Sequence, residues 1–273
     1  MKFNICKIEL KNYIHSSCFD DLSRLLCFGI IDAGYQCTMS TNKLADNSVN
    51  IIIGTHLLSQ KNILSLNCTA NRKKIIYINT EQLKYTNNKW LNTIKTIANE
   101  DTILWDYSKS NISYLKNYNP NIKALFLKIG YNKKLEKIKI KDYKDRNIDI
   151  LFYGSINKRR LKILERLILH GVKLKQVYGV YGTELDELIS NSKFVLNLHY
   201  FESKILESIR LFYLITNKVP ILTEIADSTV DDQDFKSFAY YTEYENLSDK
   251  CMELLNREYS LIMEETIIKN QKF

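Results

Sequence analysis

The apolar run Ile150-Leu151-Phe152 opens into Tyr153-Gly154-Ser155, and Asn157, Lys158, Arg159 and Arg160 follow immediately. Small residues where a strand gives way to a helix let backbone amides approach a phosphate at the helix amino end. The basic side chains beside that turn add donors. A second apolar run, Phe194-Val195-Leu196, ends in Asn197-Leu198-His199-Tyr200, with Glu202, Glu207 and Arg210 beyond it. Glu207 near a helix start can accept hydrogen bonds from ribose hydroxyls, and Arg210 can hold a phosphate. The same two residues at (i, i+3) can also form a simple ion pair. Neither a Gly-x-Gly-x-x-Gly turn nor a P-loop is present, so those phosphate-binding motifs are excluded.

These residues need strands and helices to bring them together. From residue 148 the pattern predicts strand 148–153, helix 158–170, strand 173–178, helix 182–191, strand 194–198, helix 203–216 and strand 219–223. A short strand at 237–241 and helices near 243–257 and 259–270 complete the chain. In the first half, strands are expected at 2–9, 35–39, 50–53, 74–78, 103–105 and 123–128. Residues 12–17 read as loop, and helices are expected at 19–33, 87–98 and 108–117, with Gly34 as a helix stop. Strands alternating with helices through both halves indicate an α/β fold with parallel sheets. The expected division is a first domain over 1–131, a charged connection over 132–147 and a second domain over 148–273.

Composition narrows the classes. The chain has 273 residues, 45% hydrophobic and 26% charged, with 8 Gly and 2 Pro. Those values describe a folded protein, not a disordered or turn-rich all-β one. The net charge of +8 suits an anionic ligand, nucleic acid or anionic surface, or it reflects a Lys- and Asn-rich bias such as that of 133–144. Nucleic acid is the weakest of these, since no recognition motif or aromatic platform accompanies the lysines. Cys6, Cys18, Cys27, Cys37, Cys68 and Cys251 form no Cys-x-x-Cys pair, so they read as thiols of a cytoplasmic protein, not as zinc ligands. No apolar run reaches the length of a membrane span, and the opening residues do not read as a signal peptide. Asp231-Asp232-Gln233-Asp234 resembles an Asp-x-Asp metal motif but falls after the strands that would carry it. No metal site is assigned. His170, just before Gly171, fits a helix carboxyl end.

Four stretches together resemble a family. They are Tyr153-Gly154-Ser155-x-Asn157-x-Arg159-Arg160, Tyr181-Gly182-x-Glu184-Leu185-Asp186, Leu196-Asn197-Leu198-His199-Tyr200 and Glu207-x-x-Arg210-Leu211-Phe212. They look like the carboxyl-terminal domain of GT-B glycosyltransferases, above all the spore-maturation-protein-like group. Asn79-Thr80-Glu81-Gln82-Leu83 and Trp105-Asp106-Tyr107-Ser108 extend the likeness into the first half. The resemblance implies two Rossmann-like domains with parallel sheets facing a central cleft. It implies transfer of a sugar from a nucleotide-sugar to a glycan, protein or small-molecule acceptor, with the nucleotide-sugar as co-substrate and no obligatory metal or cofactor. On this basis Gly154, Ser155, Asn157, Arg159, Arg160, Tyr178, Gly179, Asn197, His199, Glu207, Ser208 and Arg210 are the expected donor-binding set.

The acceptor hydroxyl must lose a proton as the sugar leaves its diphosphate, and a histidine of the first half suits that task. His15 is favoured over His56, which follows the third strand, and Glu81 and Asp106, which also follow strands, can be base, acceptor ligand or helix cap. Arg159, Arg160 and Arg210 are the expected donors to the leaving diphosphate. Three features depart from the family pattern. Glu202 and Glu207 stand closer together than the paired glutamates of many GT-B enzymes, Tyr213 replaces a frequent acidic residue, and Asn217-Lys218 replaces a familiar Gly. They motivate the alternative of a non-catalytic nucleotide- or glycan-binding module on the same scaffold.

Overall fold

The computed structural model describes residues 1–68, 74–84, 88–99, 101–201, 204–226, 235 and 237–270. It divides into two units, Met1–Asn132 and Lys133–Phe273. Glu202 and the Asp231–Asp234 motif lie outside the described residues.

The first unit carries a six-stranded parallel sheet. Its strands are β1 (Lys2–Lys7), β2 (Gln36–Thr41), β3 (Val49–Ile53), β4 (Ile75–Asn79), β5 (Ile103–Asp106) and β6 (Lys123–Phe126). They are ordered β2-β1-β3-β4-β5-β6. The inner strands read as near-continuous apolar runs because helices cover both faces of a parallel sheet; Ile51, Ile52 and Ile53 of β3 are fully buried. Helices α1 (Asp20–Asp32), α2 (Gln60–Cys68), α3 (Asn88–Ile97) and α4 (Lys109–Tyr118) connect them. The sequence reading has no helix at α2: of its apolar residues, Ile63 is buried whereas Leu64 is mostly exposed, so the periodic signal is short. The expected loop at 12–17 is instead a 3₁₀ turn over Ile14–Phe19. After α1, Gly34 takes a left-handed φ of 86° and the Tyr35 amide reaches back to the Ile30 carbonyl, as a helix stop requires.

The second unit carries β7 (Ile148–Tyr153), β8 (Leu174–Val177), β9 (Ser192–Asn197), β10 (Ile221–Glu224) and β11 (Tyr240–Thr242). All are parallel, in the order β11-β10-β9-β7-β8. The helices are α5 (Lys158–Leu169), α6 (Gly182–Ser190), α7 (Ser208–Thr216), α8 (Leu247–Asn256) and α9 (Tyr259–Asn270). Phe152, Leu164, Leu167, Leu196 and Leu222 form the centre of its core. Helix α7 starts five residues later than the pattern over 203–216 predicts. Lys204 has a positive φ of 42° and its amide closes a turn on the Phe201 carbonyl, while Ile205 and Leu206 are buried in non-helical backbone.

Residues 133–147 belong to the second unit. The Lys137 and Ile138 amides both donate to Asn217 Oδ1, at 2.8 and 2.9 Å, and the Asn217 amide donates back to the Tyr213 carbonyl. Tyr213 in turn donates to Asp186 Oδ1 at 2.7 Å and lies under Lys137 Nζ. Lys218 holds a left-handed φ of 58°, which accounts for Gly being comfortable there. Tyr213 and Asn217 therefore secure this segment against α6 and α7, and Lys218 adds an ion pair to Glu136 at 3.5 Å.

In each sheet the chain runs one way from its first strand and then returns past it. The reversal lies between β1 and β3 in the first unit and between β7 and β9 in the second. Ligands of open α/β sheets bind outside the strand carboxyl ends at such a reversal. Gly154-Ser155 leaves β7 and Leu198-His199 leaves β9, so the strongest sequence candidates meet at that point.

Candidate functional site

Gly154 follows β7 with φ of 142°, its amide bonded to the Val177 carbonyl. A β-carbon there would lie 3.0 Å from Arg210 Nη2 and 3.5 Å from Arg160 Nη1. Two guanidinium groups thus converge on one glycine. Arg160, on the first turn of α5, is 4% exposed and donates to the Ser155 carbonyl at 2.8 Å and to the Leu198 carbonyl. Its Nε has no hydrogen-bond partner among the described residues. Burial, then the Arg210 charge, pull its pKa down to about 10, with Glu207 opposing. Arg210, on the first turn of α7, makes one long side-chain hydrogen bond, 3.4 Å to Asn197 Oδ1, and lies 4.6 Å over the Tyr153 ring. Two like charges held this close favour an anion beside them. The amino ends of α5 and α7 add their own positive potential.

Arg159 faces a different task. Its guanidinium pairs with both carboxylate oxygens of Glu224, donates to the His199 carbonyl at 3.2 Å and stacks 4.0 Å over the Tyr244 ring. Glu224 is 0% exposed at the end of β10 and also accepts the His199 amide at 3.2 Å. Arg159 is therefore committed to holding the His199 backbone. Asn157 is likewise a helix cap: its Oδ1 accepts the Arg160 amide at 2.9 Å and its Nδ2 donates to the Tyr200 carbonyl.

Below this, buried His199 pairs with partly exposed Glu207. His199 is 0% exposed and its Nδ1 is 3.0 Å from Glu207 Oε2, although among the described residues neither ring nitrogen has a partner in hydrogen-bond alignment. Asn197 donates to the same Glu207 oxygen and to Thr223 Oγ1, each at 3.0 Å. Burial opposes the imidazolium, but Glu207 and Glu224 outweigh it and raise the His199 pKa. Burial also opposes the Glu207 charge, yet His199, Asn197 and Arg210 together hold that carboxyl at about 2. Glu207, about a fifth of its side chain exposed, is a carboxylate held ionised by these neighbours. Ser208, buried beside it, has an Oγ with no partner among the described residues. Tyr178 and Gly179 follow β8, with Tyr178 57% exposed and Gly179 at a positive φ.

The first-half candidates fall into three environments. His15 is half-buried in the turn Ile14–Phe19, edge-on to Tyr13. Asp106 is fully buried at the end of β5 and accepts from Asn79 Nδ2, the Ser108 amide and Asn111 Nδ2 at 2.7, 2.8 and 3.1 Å. The bonds from Ser108 and Asn111 fix the start of α4. Glu81 stands just after β4, its backbone pinned by Asn79 and Asn111, and its carboxylate 3.5 Å from Nδ1 of buried His56. Apolar surroundings push Glu81 up to about 8 even though a fifth of its side chain is exposed, and they pull His56 down to about 4. Sequence reasoning left Glu224 and Tyr244 out of the site. A carboxylate closing the buried run Ile221-Leu222-Thr223 carried a readable signal for the first, and nothing local marked the second. Among the described residues no group of three or more His, Cys, Asp or Glu side chains is arranged to hold a metal ion.

No family model matches the sequence. An uncharacterized protein of Acanthamoeba polyphaga mimivirus is 31% identical over 192 residues, which is 67% of this chain and 62% of that protein. A second uncharacterized protein of the same virus is 29% identical, covering 66% of this chain and 59% of its own length. The chain thus spans about 60% of the length of these relatives. Among solved structures, Anabaena HepE in complex with UDP-glucose is similar with a TM-score of 0.61 at 10% identity, over 100% of this chain and 95% of that one. WaaG, a glycosyltransferase involved in lipopolysaccharide biosynthesis, gives 0.60 at 12% identity over 98% and 94%. A DNA-modifying β-glucosyltransferase gives 0.56 at 12% over 100% and 94%. The fold is that of the GT-B glycosyltransferases. Among the described residues no helix is long and apolar enough to cross a membrane.

Proposed function

We propose that this chain is a glycosyltransferase whose second unit binds a nucleotide-sugar at the β7–β9 reversal. The observation that carries the reading is the convergence of Arg160 and Arg210 on Gly154. Guanidinium groups match phosphate oxygens in charge and geometry, and donors fixed in advance stabilise a diphosphate as it leaves. HepE, which is similar in fold, has been solved in complex with UDP and with UDP-glucose, and this supports a uridine diphosphate donor. Tyr178 and Gly179 are assigned to the base and ribose, and no metal is required. The first unit supplies the acceptor side. There His15, in the turn that leads into α1, is the proposed proton acceptor, because burial pulls His56 down to about 4 and makes it a weak base, while Asp106 is engaged by three hydrogen bonds.

The test is calorimetric titration of UDP and UDP-sugars into the whole chain, followed by an assay for released UDP with EDTA present. Binding with release supports transfer. One observation favours a second reading, a nucleotide-binding module without transfer: the Glu207 carboxylate is already engaged by the His199 ring, 3.0 Å away. Under that reading UDP binds and no acceptor elicits its release from the sugar nucleotide.

A further inference from the structure

Glu207 and Arg210 have the (i, i+3) spacing of a helical ion pair, yet they take different partners. Glu207 Oε2 lies 3.0 Å from His199 Nδ1 and accepts from Asn197 Nδ2, also at 3.0 Å. Arg210 donates to Asn197 Oδ1 at 3.4 Å and turns toward Gly154, where Arg160 also points. The Asn197 side chain thus touches both members of a pair that is not made. A carboxylate this close to the two guanidinium groups competes with any anion they are to hold, unless another cation neutralises it.

His199 is placed to do that. Its ring is 0% exposed, and among the described residues neither nitrogen has a partner in hydrogen-bond alignment, so no fixed donor or acceptor dictates its protonation. The charged groups facing it are Glu207 before α7, Glu224 at the end of β10 and Arg159 on α5. Arg159 pairs with both carboxylate oxygens of Glu224, and their charges cancel. Glu207 remains as the carboxylate that answers to the His199 proton. With His199 protonated, Glu207 is matched and Arg210 stays free for a ligand. With His199 neutral, Arg210 in the next turn is the cation left to Glu207.

We propose that His199 is a positioning residue: its positive charge keeps Glu207 from pairing with Arg210, and so keeps Arg210 available to the donor diphosphate. This rests on the nucleotide-sugar reading of the site. Donor binding then takes up a proton wherever His199 is neutral in the free chain, and affinity falls as pH rises through the His199 titration. Burial opposes the His199 charge but the facing carboxylates outweigh it, so that titration lies above the ordinary 6.5. The test is isothermal titration of UDP-glucose into the whole chain at about pH 6 and about pH 8.5, with buffers of differing ionisation enthalpy to count protons. UDP-glucose carries no phosphate monoester, the group that would itself titrate in this range.

The wild type should bind about tenfold more tightly at the lower pH and take up part of a proton at the higher one. His199→Gln should bind at the weaker level at both pH values. Glu207→Gln, which lacks the competing carboxylate, should bind at the stronger level at both, and so should the double variant. A purely structural role for His199 would not make Glu207→Gln tighter than wild type at the higher pH. The wild-type proton count needs no variant, so it decides the matter even if His199→Gln fails to fold. Wild-type affinity that changes less than about twofold between the two pH values overturns the proposal. So does Glu207→Gln binding more weakly than wild type at the higher pH. Both results leave the donor reading standing. A chain that binds no UDP-glucose at either pH removes the donor reading and this proposal with it.

Discussion

Replacing Arg210 with alanine separates a ligand-binding arginine from a structural one. Its guanidinium makes one long hydrogen bond, 3.4 Å to Asn197, and otherwise lies over Tyr153 beside Gly154. Losing that bond costs the fold little, and it removes a charge that depresses the buried Arg160. We expect a melting shift of no more than about 3 °C, since an exposed or weak contact is worth roughly 1 kcal/mol or less. A bound diphosphate, in contrast, loses one charge-assisted contact, worth about 1.5–3 kcal/mol. At 1.4 kcal/mol per decade this weakens UDP about 10- to 150-fold. Isothermal titration of wild type and variant, paired with thermal denaturation, measures both quantities. A UDP dissociation constant within about twofold of wild type, in a folded variant, would refute the assignment of Arg210 to phosphate.

Arg159→Ala should behave in the opposite way. It leaves Glu224, 0% exposed, without its cation, and breaking a buried pair costs about 3–5 kcal/mol; urea denaturation should register this loss, whether or not UDP is present. Gly154→Ala forces an L-residue to a φ of 142° and sets a methyl group 3.0 Å from Arg210, so UDP affinity should drop together with about 1–3 kcal/mol of stability. Unaltered titration of that variant would show that the turn tolerates a side chain. The His199–Glu207 pair predicts a window of pH. Glu207, depressed to about 2, contributes stability that is present above its ordinary 4.5 and lost as pH falls toward 2. His199, raised above 6.5, contributes stability that is present below 6.5 and lost as pH rises through its folded value. Denaturant midpoints against pH should therefore flatten at both ends in a His199→Gln, Glu207→Gln double variant, and parallel curves for the two proteins would count against the pair.

The alternation of apolar runs and helical stretches determined the class of fold, because covering both faces of a parallel sheet demands that rhythm. It also drew attention to Gly154, Arg160, Asn197, His199, Glu207 and Arg210, since polar residues that close apolar strands fall on one edge of such a sheet. The limits of local pattern are visible in particular residues. Helix α2 has too short a periodicity to be read, and α7 begins late because buried Ile205 and Leu206 are held outside it. Arg159 and Arg160 are neighbours with the same charge, and no local rule distinguishes them. Tertiary structure assigns one to Glu224 and Tyr244, some 65 and 85 positions away, and turns the other toward Gly154. Likewise, which carboxylates keep their charge was decided by what surrounds them. Glu207 meets His199 and is held ionised, whereas Glu81, beside His56, has no charged partner that outweighs its burial and is pushed up to about 8. Sequence supplied the residue types and the sheet edge on which they stand. Partners distant along the chain decided what each of those residues is free to do.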